Sequence, residues 1–225
     1  MENTQKKHSV KDFLKRKDIE ISARRYGIDA LGAMAQGLFA SLLIGTIIST
    51  LGEQFGLGIL IEIGKYAKEA TGAAMAVAIG YALKCPPLVL FSLIAVGGAS
   101  NALGGAGGPL AVLVVAIIAS EFGKAVSKET KLDIIVTPSV TIIIGVLLSM
   151  WWAPAIGTAA NAVGSAIMWA TELQPFFMGV IVSVLVGVAL TLPISSAAIC
   201  AAFGLTGLAG GAAVAGCCAQ MVGFA

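Results

Sequence analysis

Residues 85–122 read CPPLVLFSLIAVGGASNALGGAGGPLAVLVVAIIASEF, and this stretch decides the fold class. A proline pair opens it, and no residue between Lys84 and Glu121 carries a charge. Glycine and proline are poor helix formers in water, but membrane proteins tolerate interrupted helices where protein or a polar cavity satisfies the freed backbone groups. The stretch therefore predicts two membrane spans, Leu88–Leu103 and Pro109–Phe122, joined by a glycine-rich turn.

The composition of the whole chain is that of an integral membrane protein. Of the 225 residues, 58% are hydrophobic and only 12% are charged, whereas a soluble domain carries about 25% charged residues. A spanning helix needs roughly 20 apolar residues. We therefore predict an all-α, polytopic transmembrane helical bundle with about seven membrane segments, some of them short, broken by Gly and Pro, or re-entrant. The uncharged runs that hold these segments are Ala30–Gly52, Ala70–Leu83, Cys85–Ser120, Ile134–Thr171 and Leu173–Ala225.

The distribution of positive charge predicts the orientation. Eight of the 14 Lys and Arg residues lie in the first 25 residues, and such basic segments stay in the cytoplasm. We predict that residues 1–29 form a cytoplasmic basic tail, which either lies on the inner leaflet as an amphipathic helix or is simply solvated. Residues 30–225 form the transmembrane domain. The basic loop Gly123–Asp133 fits the cytoplasmic side, and Glu53–Glu69 is predicted to be an amphipathic interfacial helix on the outer side.

Small residues recur at every fourth position in two segments, a spacing that lets another helix approach closely. The first segment lies in the span Leu31–Leu51, and we expect it to pack tightly on another span. Its small residues are Ala33, Gly37, Ser41, Gly45 and Ser49. Those of the second segment are Gly207, Gly211, Ala215, Ala219 and Gly223.

The boundaries of the membrane segments are less clear in the second half of the chain. Ile134–Trp152 is predicted to span the membrane, with two tryptophans at its end where an interfacial aromatic belt belongs. Ala153–Thr171 is rich in small residues and fits either a surface helix or a re-entrant segment. Phe176–Leu192 is predicted to be the next span.

Shifting the chain by 106 residues superposes several of its landmarks. Pro87 falls on Pro193, and Gly98 falls on Gly204. A parallel internal repeat, with units of about 31–123 and 137–225, explains these matches, but chance explains them equally well in a sequence so rich in small residues. In a true repeat, the last span of the second unit would extend beyond residue 225, so the chain resembles a truncated protein.

Few residues carry chemistry suited to a binding site. Ser100 and Asn101 lie inside the glycine turn, where Asn101 either binds the hydroxyl groups of a solute or caps the turn. Thr206 falls on Ser100 under the same shift. Lys84 is either a site residue at the start of a re-entrant segment or a lysine whose side chain reaches the lipid headgroups. Glu121 likewise either faces a cavity or reaches the headgroups.

The sequence offers no catalytic or metal-binding motif, so we expect no enzyme activity, no cofactor and no metal. The single histidine, His8, lies in the basic tail, and the cysteines have no metal-ligand spacing. The four cysteines lie in apolar surroundings, where they act as small hydrophobic residues. They are Cys85, Cys200, Cys217 and Cys218.

Four stretches together resemble the second phosphotransferase-system IIC family of bacterial membrane proteins. They are GAMAQGLFASLLIGTII at 32–48, KCPP at 84–87, GGASNALGGAGGP at 97–109 and LPISSAAICAAFGLTGLAGGAA at 192–213. The resemblance covers residues 13–225 and implies a permease component of a phosphoenolpyruvate-dependent sugar phosphotransferase system, placed in the bacterial cell membrane. The resemblance identifies no catalytic residue in this chain.

The same resemblance implies separate IIA and IIB phosphotransferase proteins as partners and a sugar as the solute. We further expect the chain to lie in a lipid bilayer, to form a homo-oligomer and to bind no nucleic acid. Two other functions stay open: a membrane regulator or sensor that has kept the fold without transport, and a transporter for another solute, such as an anion held at half-helix N-termini.

Overall fold

The computed structural model describes residues 12–189, 200 and 205–224, and every regular element in this part of the chain is a helix. Four helices are long and apolar enough to cross a membrane, and three shorter apolar helices accompany them. The prediction of an all-α bundle with about seven membrane segments is therefore confirmed. The helices are α1 (Arg25–Phe55), α2 (Gly58–Glu69), α3 (Thr71–Ala82), α4 (Pro87–Gly104), α5 (Gly108–Val126), α6 (Asp133–Leu173), α7 (Pro175–Ala189) and α8 (Gly207–Phe224).

Helix α1 is 31 residues long, or about 46 Å, and α2 and α3 return along it as a pair. A side chain added at Gly37 would lie 2.6 Å from the carbonyl oxygen of Ala74 in α3. One added at Gly45 would lie 2.8 Å from the carbonyl oxygen of Gly64 in α2. The predicted close packing of the first small-residue segment is thus confirmed, on two helices rather than one.

The segment Glu53–Glu69 differs from the single interfacial helix that its charges predict. Gly56, with a φ of +66°, ends α1 after Phe55, since glycine adopts this left-handed conformation without a steric cost. The amphipathic part is α2 alone, and it lies along the second half of α1. Only Ala70 separates α2 from α3, so the helical return path is interrupted at this residue.

The core lies where α3, α4, α5 and the first halves of α1 and α6 meet. Gly72 of α3 and Gly97 of α4 face each other so closely that neither position has room for a side chain. Helix α4 continues through Gly97 and Gly98, and only Gly105–Gly107 form a 3-10 turn before α5. The interruption is therefore shorter than the glycine content predicts. Fully buried core residues include Met34, Leu38, Met75, Ile79, Leu93, Val96, Val112 and Val115.

The structure of α6 and of the loop before it differs from two predictions. Helix α6 runs for 41 residues through Pro138 and Pro154, so Ala153–Thr171 is neither a separate surface helix nor a re-entrant segment. The helix persists across Pro154 because Ala153 is fully buried and Gly157 packs on the backbone of Gly104. On the other side, α5 extends to Val126, so the first residues of the predicted loop Gly123–Asp133 are helical.

Helices α7 and α8 pack on each other through Val182, Val186 and Ala213. The second small-residue segment does not provide this contact, because a side chain added at Gly207 or Gly211 would meet no atom within 4 Å. The buried face of α8 is instead formed by Ala209, Ala213 and Gly216, which do not belong to the small-residue segment. The repeat landmarks Pro193 and Gly204 lie outside the described residues.

Three basic segments meet at one end of the bundle, which we call the basic end. Lys17 donates a hydrogen bond to the carbonyl oxygen of Ser127, and Arg25 donates one to the carbonyl oxygen of Leu83 at 2.9 Å. These contacts bring together the N-terminal segment 12–24, the loop 83–86 between α3 and α4, and the loop 127–132 between α5 and α6. The predicted placement of the basic tail and the loop Gly123–Asp133 on one side of the bundle agrees with these contacts.

Candidate functional site

Ser100 lies in the glycine-rich part of α4 and is fully buried. Its hydroxyl group donates to the carbonyl oxygen of Val96 at 2.8 Å and lies 2.7 Å from the hydroxyl oxygen of Ser149 in α6. Pairs of hydroxyl groups of this kind hold membrane helices together. In the described structure, Ser100 thus serves as a contact between α4 and α6.

Asn101, the next residue, is half-buried, and its carboxamide forms no hydrogen bond within the part of the chain that the structure describes. It lies against Gly72, near the break between α2 and α3 at Ala70, and against Gly108 at the start of α5. The side chain therefore offers two donors and an acceptor beside an interrupted helix. Interrupted helices are where transporters commonly bind their solutes.

Thr206 lies elsewhere. Its hydroxyl group is 3.5 Å from the sulfur atom of Met168 in α6, whereas Ser100 contacts the same helix at Ser149. Met168 follows Ser149 by 19 residues, which is about 28 Å along a helix. The structure therefore does not bring Thr206 to Ser100 and Asn101, although Thr206 falls on Ser100 under the shift of 106 residues.

Lys84 lies at the basic end, is exposed, and has a φ of +56° directly after α3. Glu121 is instead mostly buried at the edge of the bundle, with 15% of its side chain exposed. The hydroxyl group of Tyr26 donates to one of its carboxylate oxygens at 3.1 Å, and the ammonium group of Lys124 lies 2.9 Å from the other. Lys84 and Glu121 are thus at the same end of the bundle but in different surroundings.

Lys124 is the centre of a buried ionic cluster that the sequence reasoning missed. Its side chain is only 2% exposed, and its ammonium group donates to the carbonyl oxygens of Asp18 at 2.9 Å and Leu83 at 3.2 Å. Arg25 donates to the same carbonyl of Leu83 at 2.9 Å. Two cations therefore satisfy the C-terminal end of α3, where the helix dipole is negative.

Asp18 completes this cluster from the N-terminal segment. The guanidinium group of Arg25 donates to its carboxylate at 2.6 Å, and this hydrogen bond holds the pKa of Asp18 below its ordinary value. Two signals in the sequence pointed to the cluster: the spacing of three between Glu121 and Lys124, and the pair Arg24–Arg25 at the start of α1. Among the described residues, no group of three or more His, Cys, Asp or Glu side chains is placed to hold a metal ion.

Comparison with known proteins decides the family. The model of the family described as "Phosphotransferase system, EIIC" matches residues 28–225. The chain belongs to this EIIC family. Membership of this family agrees with the four helices of membrane-spanning length among the described residues, so the chain is a membrane protein. No curated protein and no solved structure gives a significant match.

Proposed function

We propose that this EIIC protein is the membrane permease component of a phosphoenolpyruvate-dependent sugar phosphotransferase system and carries a carbohydrate across the bacterial cell membrane. The family match over residues 28–225 carries this proposal. Phosphoryl transfer belongs to separate IIA and IIB proteins, since the one histidine of the chain, His8, lies in the basic tail.

The solute site that we propose lies around Asn101. Sugar recognition needs hydrogen-bond donors and acceptors beside some apolar surface, and the carboxamide of Asn101 is free to supply them. The helix break at Ala70 and the 3-10 turn Gly105–Gly107 lie near this side chain. Both interruptions give the site a backbone that is less regular than that of an ordinary span.

We further propose that the basic end faces the cytoplasm. The clustering of Lys and Arg at this end supports the orientation, because positive segments resist translocation. Cysteines placed at Asn3 and at Gln54 in a chain without native cysteines test it with an impermeant labelling reagent in intact cells. We expect labelling at Gln54 only, and labelling at Asn3 only contradicts the orientation.

Sugar uptake by vesicles that contain the full-length protein tests the permease function. We expect uptake of a labelled sugar only when phosphorylated IIA and IIB proteins are present inside. Asn101→Ala should weaken solute binding without unfolding the protein. Gln36→Ala is the control, because it removes the same type of side chain from an exposed position of α1. Equal binding by both variants rejects Asn101 as a contact.

A regulator or sensor without transport is the second candidate, and the packing of polar groups within the spans favours it. The buried hydroxyl groups of Ser92 and Thr141 donate to carbonyl oxygens of their own helices, and those of Ser100 and Ser149 are satisfied by each other and by carbonyl oxygens of their own helices. These polar groups therefore do not line a path for a solute. Absence of uptake with any phosphorylated partner, together with absence of IIA and IIB genes nearby, favours the regulator.

A further inference from the structure

A cavity of about 330 Å³ opens at the basic end, between the N-terminal segment and the loops that follow α3 and α5. Five of its lining side chains are cationic and two are anionic, so the lining has a net charge of +3. The cations are Arg16, Lys17, Lys84, Lys124 and Lys128, and the anions are Asp18 and Glu129. An excess of positive charge in a concave site attracts anions.

Both carboxylates of the cavity are already paired. Asp18 accepts a hydrogen bond from Arg25 at 2.6 Å. Glu129 lies 2.5 Å from the ammonium group of Lys17 and 2.9 Å from the guanidinium group of Arg16. Hydrogen bonds from Arg25 and from Lys17 lower the pKa values of Asp18 and Glu129, respectively. The carboxylates therefore stay ionised and bound to their own partners near neutral pH.

Two lysines of the cavity remain without such partners. The side chains of Lys84 and Lys128 form no ion pair or hydrogen bond in the part of the chain that the structure describes. Both residues also have a positive φ, +56° and +61° respectively. Helix ends with this backbone conformation usually carry glycine, so lysine at both positions is not explained by the turns themselves.

We propose that this cavity binds the phosphate group of an anionic ligand through Lys84 and Lys128. Lysine ammonium groups bind phosphate as strong point charges, and the cavity has room for a phosphate with a small polar body. The site goes beyond the proposed function, because it requires neither transport nor a IIA or IIB protein.

Two sources present this chemistry at the end of a membrane bundle. One is the headgroup of an anionic phospholipid, which basic pockets between transmembrane helices commonly bind. The other is a soluble phosphate ester, such as a sugar phosphate. The site recognises the phosphate group in both cases, so the experiment below treats them as separate arms.

The melting temperature of the purified chain in detergent measures binding in both arms. The lipid arm compares micelles that contain phosphatidylglycerol with micelles that contain phosphatidylcholine. The soluble arm compares glucose 6-phosphate and inorganic phosphate with potassium chloride at the same ionic strength. We expect a higher melting temperature in at least one arm, because a ligand of the folded state stabilises it.

The double variant Lys84→Gln and Lys128→Gln identifies the site. We expect its affinity for the stabilising ligand to fall about 25-fold, since each lysine near an anionic surface contributes about fivefold. Lys65→Gln together with Lys131→Gln is the control, because it removes the same charge from residues outside the cavity. Lys84→Gly with Lys128→Gly provides a second test, since glycine suits the positive φ and keeps the chain folded.

The combination of stabilising ligand and variant decides between the possible ligands and tests the proposal. Stabilisation by phosphatidylglycerol alone identifies a lipid site, stabilisation by soluble phosphates alone identifies a site for an ester, and stabilisation in both arms shows that the phosphate group suffices. All three support the proposal if the Lys84 and Lys128 variants lose the effect and the control retains it. No stabilisation in either arm, or equal loss in the control, overturns the proposal.

Discussion

Replacing Gly97 by alanine tests the close approach of α3 and α4. The added methyl group would lie 2.5 Å from the methyl carbon of Ala76 and closer still to the carbonyl oxygen of Gly72. Because ordinary van der Waals contact begins at 3.4 Å, the two helices must separate by about 1 Å. No change of rotamer relieves this clash, since the obstructing atoms belong to the backbone and to an alanine.

We expect Gly97→Ala to lower the free energy of unfolding by about 2 kcal/mol. Overpacking of a close-packed interior costs about 1–3 kcal/mol, and rigid backbone atoms put this site in the upper part of the range. Alanine returns up to about 1 kcal/mol through its better helix propensity. For a chain of this length, the net loss corresponds to a fall in melting temperature of about 4–8 °C.

The adjacent residue provides a matched control in the same helix. Gly98 is exposed, and a side chain added there meets no atom within 4 Å. Gly98→Ala therefore gains helix propensity without a clash, and its melting temperature should rise by up to about 2–4 °C. Tryptophan fluorescence during heating in detergent measures both variants. Equal shifts of the same sign refute the packing argument.

Three further predictions concern polar contacts, and melting temperatures in detergent test all of them. Ser149→Ala removes the hydroxyl pair between α4 and α6 and should cost about 0.6 kcal/mol, the average for such bonds in a membrane protein. Lys124→Met leaves Glu121 without its cation and should cost about 3–5 kcal/mol, whereas Lys65→Met, at an exposed position, should cost little. The lowered pKa of Asp18 stabilises the fold near neutral pH, and this contribution is lost as the pH falls below about 4; Asp18→Asn should therefore weaken the pH dependence in that range.

The central spans could be predicted from the sequence within a few residues. The expected Leu88–Leu103 and Pro109–Phe122 correspond to helices Pro87–Gly104 and Gly108–Val126. An uncharged run shows where a span lies, because charges are costly in the bilayer. Pro87 at the first position of α4 and Gly105 after its last residue show where that span starts and stops, and Pro109 marks the start of α5.

The length of α6 could not be predicted in the same way. The sequence predicts that the span ends at Trp152, just before Pro154, whereas the helix continues although proline removes a backbone hydrogen bond. The contact of Ala153 and Gly157 with Gly104 offsets this cost, and it depends on residues some 50 positions away. The burial of Lys124 is a similar case, since its carbonyl partners at Asp18 and Leu83 come from distant parts of the chain.

The position of Thr206 shows what a sequence repeat does and does not predict. A repeat places two residues at equivalent positions in two units, but they touch only if the units pack through those faces. The surroundings of Asn101 come instead from α3 and α5 of its own half of the chain. We therefore expect Asn101→Ala to weaken solute binding and Thr206→Ala, at an exposed position, to leave it unchanged. Equal losses of affinity in the two variants, measured with the same labelled sugar, contradict a site built around Asn101 alone.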